Sequence, residues 1–206
     1  MLEVRALACE RGDLRLFSDL EFSLGEGELL LVQGPNGSGK TSLLRLVAGL
    51  SRPAAGSIRW CGEDIAELRE AYARDLLFVG HANAVKEEFS AEENLALALE
   101  LCGRRASPEA RAEALERMGL GARARLPARF LSQGQKRRVA LARLCIGADM
   151  PLWILDEPFA ALDAAALQTV AGLVDGHLAR GGAAILTTHQ EVTITARTRY
   201  AIALGL

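Results

Sequence analysis

No run of about eighteen apolar residues, the length a membrane-crossing helix needs, occurs in this chain, so if its work involves a membrane another chain supplies the span. Basic tracts are missing too. The 24 Lys and Arg are interspersed with 26 Asp and Glu for a formal charge of −2, and no cluster forms the footprint of a nucleic-acid binder. No nucleic-acid partner is expected. The four cysteines, Cys9, Cys61, Cys102 and Cys145, stand far apart without a C-x-x-C, which argues against a disulfide framework or a zinc site and fits a reducing compartment. The opening residues, MLEVRALACERGD, carry charges at Glu3, Arg5 and Glu10 and hold no apolar stretch of the signal-peptide kind. Repeats and low-complexity tracts are absent. Lysine is scarce: Lys40, Lys86 and Lys136 stand against arginine at every other basic position. In such a chain a retained lysine points to a use for the compact ammonium itself, although Lys86 also reads as a solvated loop lysine.

What the chain does have is apolar side chain, half of its 206 residues, enough for one domain or a domain with an inserted subdomain. Strands are predicted over residues 2–8, 14–24 and 28–33, followed by a glycine-rich loop and a helix over 41–50. A hairpin over 56–65 and a buried strand over 75–80 come next. From Ala91 to about Gly147 the spacing turns helical, with helices over 91–103, 107–119 and 133–147. A strand over 151–158, a helix over 163–181 and strands over 183–189 and 199–206 complete the pattern. The expectation is an α/β fold with an antiparallel N-terminal part and an all-helical insertion at 91–147, flanked by core residues 1–90 and 148–206.

The sharpest motif is GPNGSGKT, which fits G-x-x-x-x-G-K-[ST] between a predicted strand and a predicted helix. Gly34, Pro35, Asn36, Gly37, Ser38 and Gly39 let the backbone wrap so that its N–H groups and the helix start face phosphate oxygens. Lys40 reaches toward the β- and γ-phosphates, Thr41 offers its hydroxyl to magnesium, and Ser42 continues the helix start. In LWILDEP an apolar strand ends in two acids. Two such acids are ordinarily a solvated strand end, but downstream of a phosphate loop Asp156 suits magnesium and Glu157 suits the attacking water. LSQGQ, Leu131 to Gln135, precedes a helix; Ser132 and Gln135 read as a helix cap and equally as a phosphate grip at a helix N-terminus.

LSQGQ resembles the LSGGQ signature of ABC ATPases, with Gln133 in place of the first glycine, and the other marks follow in order across the whole chain. Ala161, Leu162 and Asp163 look like the D-loop, and His189 after AAILTT looks like the switch histidine. The resemblance implies a P-loop NTPase fold of the ABC nucleotide-binding type, with ATP and magnesium as cofactors and a homodimer in which Ser132, Gly134 and Gln135 grip the ATP of the opposite subunit. Glu157, His189 and Lys40 are the implied catalytic residues, and Thr41 and Asp156 the implied magnesium ligands.

Two positions depart from the family. Where an adenine-stacking aromatic is usual stand Arg11 and Gly12, of which Arg11 can stack through its guanidinium plane. Where the Q-loop glutamine is usual stands His81, which can still donate or accept a hydrogen bond, and the resemblance implies that it takes that glutamine's place at the magnesium. The stretch GHANAVKEEFSAEENL, with Asn83 and Lys86, and Trp60 in GSIRWCG resemble the ATP-binding subunits of cytochrome c maturation haem exporters. That likeness implies integral membrane permease partners and a peripheral place on the cytoplasmic face of the bacterial inner membrane. It leaves open whether haem is exported or a haem-loaded chaperone released. An ATPase of another ABC exporter is an alternative, as is a soluble ABC ATPase, although the chain has neither the long coiled coil nor the second cassette of the soluble kind.

Overall fold

The computed structural model describes residues 1–205. Alternating apolar residues build its first layer: β1 (Leu2–Arg11) pairs antiparallel with β2 (Leu14–Leu24). On its other edge β1 pairs with β4 (Ala55–Trp60), which carries the short β5 (Glu63–Asp64), giving the order β2-β1-β4-β5. The second layer is a parallel sheet of β3 (Glu28–Gln33), β6 (Leu76–Val79), β7 (Leu152–Leu155), β8 (Ala183–Thr187) and β9 (Thr198–Ala203), in the order β6-β7-β8-β3-β9. Parallel strands are covered on both faces, which is why ELLLV, LWIL and AAILT read as continuous apolar runs.

Successive residues of these strands serve two cores. Leu30, Val32, Leu152, Ile154 and Ile185 pack with the antiparallel sheet and helix α1 (Lys40–Val47). Leu29, Leu31, Trp153, Leu155 and Leu186 pack with α4 (Ala91–Leu101), α5 (Pro108–Arg117), α6 (Gln133–Leu141) and α7 (Ala164–Ala179). Side-chain caps start these last four helices: Ser90 and Ser132 close capping boxes with Glu93 and Gln135, while Ser107 and Asp163 accept from backbone N–H groups of the first turn. Each such cap contributes about 1 kcal/mol. Among the described residues no helix is long and apolar enough to cross a membrane.

The fold is thus the α/β arrangement expected, with antiparallel and helical parts, but several boundaries differ. The hairpin predicted through Ile65 stops at Asp64, whose carboxylate accepts from Ala66 N at 2.8 Å and starts α2 (Ile65–Leu68). α3 (Glu70–Asp75) follows directly. With four and six residues, these helices are too short for a helical period to show in the sequence. The helix predicted to Gly147 leaves α geometry at Leu141 and tightens into a 3-10 turn over Ala142–Cys145. α1 ends at Val47 rather than Leu50, β8 ends two residues before His189, and β9 ends at Ala203, with Leu206 outside the described residues.

The third histidine belongs to the core. His177 of α7 is 1% exposed and stacks on Trp153 with ring centroids 4.1 Å apart and planes 4° apart. Its Nε2 donates to the Ala183 carbonyl at 3.1 Å, and burial pushes its pKa down to about 4. An unfolded histidine takes its proton near pH 6.5, so between pH 6.5 and about 4 the unfolded chain binds more protons and stability falls as pH falls. The full effect is about 3 kcal/mol. Urea unfolding at pH 7 and pH 5 should give a stability loss for the parent that is clearly smaller in His177→Phe, which retains the stack; equal losses would remove His177 as the cause.

Candidate active site

The glycine-rich loop leaves β3 at Gln33 and enters α1 at Lys40, so both its ends are tied to core elements. Gly39 caps α1 with φ of 100°, and a Cβ there would lie 3.2 Å from Leu16 Cβ and 3.3 Å from the Phe17 ring. Only glycine combines that dihedral with such close packing. With no acidic residue in its first turn, α1 presents an uncompensated N-terminal dipole to the loop. Lys40 Nζ donates to the carbonyls of Gly34 at 2.7 Å and Pro35 at 3.1 Å, which holds the ammonium across the loop.

The centre of the site is a buried carboxylate. Asp156, 2% exposed just past β7, accepts from Thr41 Oγ1 at 2.8 Å and from Thr187 Oγ1 at 2.7 Å. Thr187, the last residue of β8, also accepts from Glu157 N at 2.8 Å. One hydroxyl therefore orients both acids. Glu157 takes φ of 50°, a left-handed conformation that costs a side-chain-bearing residue about 1–3 kcal/mol. That turn points its carboxylate, whose Oε1 is buried without a hydrogen bond, toward His189 Nε2 at 3.5 Å.

These groups open onto a cleft of about 720 Å³ lined by Asn36, Gly37, Gly39, Lys40, Thr41, Ser42, Asp156, Glu157 and His189 together with Arg11, Leu16 and His81. Gly34, Pro35 and Ser38 complete the loop; Ser38 Oγ is buried without a partner. Arg11 and Leu16 line one wall of the cleft, and its lining holds no Phe, Tyr or Trp. Among the described residues no cluster of three His, Cys, Asp or Glu forms a protein-only metal site. The Thr41 hydroxyl and the Asp156 carboxylate are paired oxygen donors, a set that fits magnesium completing its shell with water and phosphate. The imidazole of His81 suits so hard a cation only through a bound water.

Ser132, Gly134 and Gln135 lie outside this cleft, at the start of α6. Ser132 Oγ accepts from Gln135 N at 3.2 Å, and Gln135 Oε1 accepts from Ser132 N at 2.9 Å. Gly134 approaches the Ala161 carbonyl so closely that a Cβ would come within 2.5 Å of it, and Ala161 itself takes φ of 60°. LSQGQ and the Ala161–Asp163 segment thus pack against each other.

Four contributors escaped the sequence reading. Leu16 looked like an ordinary strand residue and Thr187 like part of an apolar run. Asn94 is 5% exposed and shapes the loop after β6: its side chain accepts from Lys86 N and donates to the carbonyls of Lys86, Phe89 and Ser90. Arg137, 3% exposed, donates to the backbone of both Asp156 and Glu157. Burial lowers its pKa, and the charges of Asp156 and Glu157 oppose that fall. A signal for Arg137 was available, since it lies three, four and seven residues before the buried Ala140, Leu141 and Leu144. A cation on an apolar helical stripe is costly unless something pairs with it.

Comparison with known proteins agrees with this geometry. Residues 17–160 match the family described as ABC transporter. The cytochrome c biogenesis ATP-binding export protein CcmA of Dechloromonas aromatica is 52% identical, covering 100% of both chains. The protein of the same name from Nitrosomonas europaea is 49% identical over 100% of this chain and 96% of its own. A solved ATP binding subunit of an ABC transporter superposes with a TM-score of 0.80 at 27% identity, covering 91% of this chain and 79% of that one. A bacterial ABC transporter cassette solved as a dimer gives 0.78 at 25% identity over 92% and 88%.

Thr187→Val keeps the shape and removes the hydroxyl, leaving Asp156 Oδ1 and Glu157 N without that partner. Urea unfolding should show a loss of about 1–3 kcal/mol. Thr187→Ser, which keeps the hydroxyl, should lose markedly less. Equal stability of Thr187→Val and the parent would contradict the bridging role.

Proposed function

The chain belongs to the ABC transporter family, and from that premise we propose that it is the ATP-binding and ATP-hydrolysing subunit of a cytochrome c biogenesis export complex. The observation that carries this reading is the Thr41–Asp156 pair at 2.8 Å, with Lys40, Glu157 and His189 around the same cleft. Full-length identity of 52% to a cytochrome c biogenesis export protein supports the assignment to that system.

The roles follow from position. The glycine loop and α1 cradle the phosphates, and Lys40 shifts from its carbonyl partners to the β- and γ-phosphate oxygens. Thr41 and Asp156 would hold magnesium, with His81 near enough to contact a water on it, and the bound ion would supply positive charge against that developing on the γ-phosphate. Glu157 accepts a hydrogen bond from the attacking water and polarises it, while His189 fixes the carboxylate and reaches the γ-phosphate. Ser132, Gly134 and Gln135 lie outside their own chain's cleft, which supports their use on the nucleotide of a second copy in a homodimer. Residues 91–147 work as a helical subdomain against the core formed by 1–90 and 148–206. This subdomain and the exposed loop carrying His81 and Lys86 engage an integral membrane subunit, on the cytoplasmic face of the inner membrane.

Two sets of experiments check this reading. Lys40→Ala should lose ATP binding in equilibrium dialysis, whereas Glu157→Gln should bind ATP, hydrolyse it far more slowly and sediment as a stable dimer with ATP and magnesium. In a strain lacking the gene, the parent should restore haem-stained c-type cytochromes and Lys40→Ala should not. Lys86→Ala should bind ATP normally yet restore less, and His81→Ala should restore less while keeping ATP binding measured without magnesium; unchanged cytochromes after gene deletion would remove the haem-system assignment.

Base selection gives the second check. A stacking ring contributes about 1–3 kcal/mol per base, and the wall formed by Arg11 and Leu16 has none. ATP and GTP should therefore compete within about tenfold of each other. A strong preference for ATP in competition titrations would overturn that view of the wall.

A further inference from the structure

Arg137 makes more side-chain hydrogen bonds around the site than any residue the motifs single out. One arm of its guanidinium, Nη2, donates to the Asp156 carbonyl at 2.7 Å and the Glu157 carbonyl at 2.8 Å. The other, Nη1, donates to the Gly80 carbonyl at 3.0 Å and to Asn83 Oδ1 at 3.3 Å, with the His81 carbonyl at 3.5 Å. Its Nε is buried without a partner, so the head is held entirely through these two arms. The side chain rises from α6, the helix that begins at LSQGQ, and reaches two other segments at once.

The Glu157 backbone needs such a hold. Its left-handed conformation is unfavourable by about 1–3 kcal/mol and persists only where surrounding bonds fix it. Thr187 fixes the Glu157 N–H, and Arg137 is the link from outside the turn to its carbonyl, which also accepts from Ala160 N at 3.1 Å within the turn. Removing the second hold lets the turn relax toward ordinary backbone and swings the carboxylate away from His189. A planar fork suits this task and an ammonium does not, because a single nitrogen cannot serve two segments on opposite sides of the head.

We infer that Arg137 is a positioning residue for Glu157, and that through its other arm the loop at Gly80–Asn83 sets whether Glu157 is poised. The inference rests on Glu157 being the group that polarises water. A shift of the His81 loop away from α6 withdraws the Gly80 and Asn83 acceptors, re-aims the guanidinium and loosens the Glu157 turn. Hydrolysis is thereby made conditional on where that loop stands.

The full-length Arg137→Lys and Arg137→Gln variants, purified alongside the parent and Glu157→Gln, test this. ATP affinity should stay within about twofold and melting temperature close to the parent in Arg137→Lys, while kcat falls about 10–100-fold, the scale expected when a catalytic group is displaced by about an ångström. Amide exchange should quicken about tenfold in peptides covering 156–160 and 80–84, with α6 as protected as before. In the Glu157→Gln background, Arg137→Lys should lower residual hydrolysis no further, because a residue acting through Glu157 has nothing left to position. A merely structural role would reduce both backgrounds alike. Parental kcat and exchange in Arg137→Lys, or equal losses in the two backgrounds, would overturn the inference. Parental hydrolysis by Glu157→Gln would instead overturn the reading of the site on which it rests.

Discussion

Asp156 places a carboxylate, 2% exposed, at the junction of three core elements, and much of the site follows from keeping it there. An isolated buried carboxylate is unfavourable by several kcal/mol. Here the threonine at the start of α1 and the threonine at the end of β8 donate to its two oxygens, and the buried guanidinium of Arg137 lies beside it. Each donor comes from a different part of the chain, so satisfying the charge also fixes α1, β8 and α6 relative to β7. The oxygen that accepts from Thr41 is also the donor proposed above for magnesium.

The parallel sheet explains how one carboxylate gathers so much. All five strands run the same way, so β3, β7 and β8 deliver the glycine loop, the two acids and the Thr187–His189 segment to one end. Alternate residues on each strand belong to different cores, one under α1 and one under the helices. A change in either core therefore reaches the site through the same three strand ends. His177 belongs to this logic too: it stacks on Trp153 of β7, three residues before Asp156, and contributes packing rather than chemistry.

What the sequence made legible was whatever is contiguous. GPNGSGKT, LWILDEP and LSQGQ each carry their meaning in adjacent residues, and the two apolar periods located the sheets and most helices. α2 and α3 were not legible, because one or two helical turns leave no period to detect. Thr187, Leu16 and Asn94 were not legible for another reason. Their partners lie far along the chain or on backbone atoms, and a hydroxyl or amide inside an apolar run does not announce which carbonyl or carboxylate it meets. Scarcity of lysine was informative in part: Lys40 spans the glycine loop and Lys136 pairs with Glu87 at 2.6 Å, while Lys86 stands exposed with its backbone held by Asn94.

That Lys136–Glu87 pair extends the argument about α6. The loop from Gly80 to Phe89 is attached at both ends to residues that flank the LSQGQ segment: Arg137 holds Gly80 and Asn83, while Lys136, Arg129 N and Ala128 N bond to Glu87 and Phe89. At the other side of α6, Gly134 abuts Ala161 and Arg138 lies 3.8 Å from Asp163. One short helix thus connects the loop that carries His81, the turn that carries Glu157 and the segment that starts α7. A displacement applied to that loop cannot be absorbed locally, because its backbone groups are already committed to Arg137 of α6, to Asn94 of α4 and to Ala128 and Arg129 just before the LSQGQ segment. It must either break several hydrogen bonds or carry α6 with it, and in carrying α6 it shifts the helix start at Ser132–Gln135 and the Glu157 turn together.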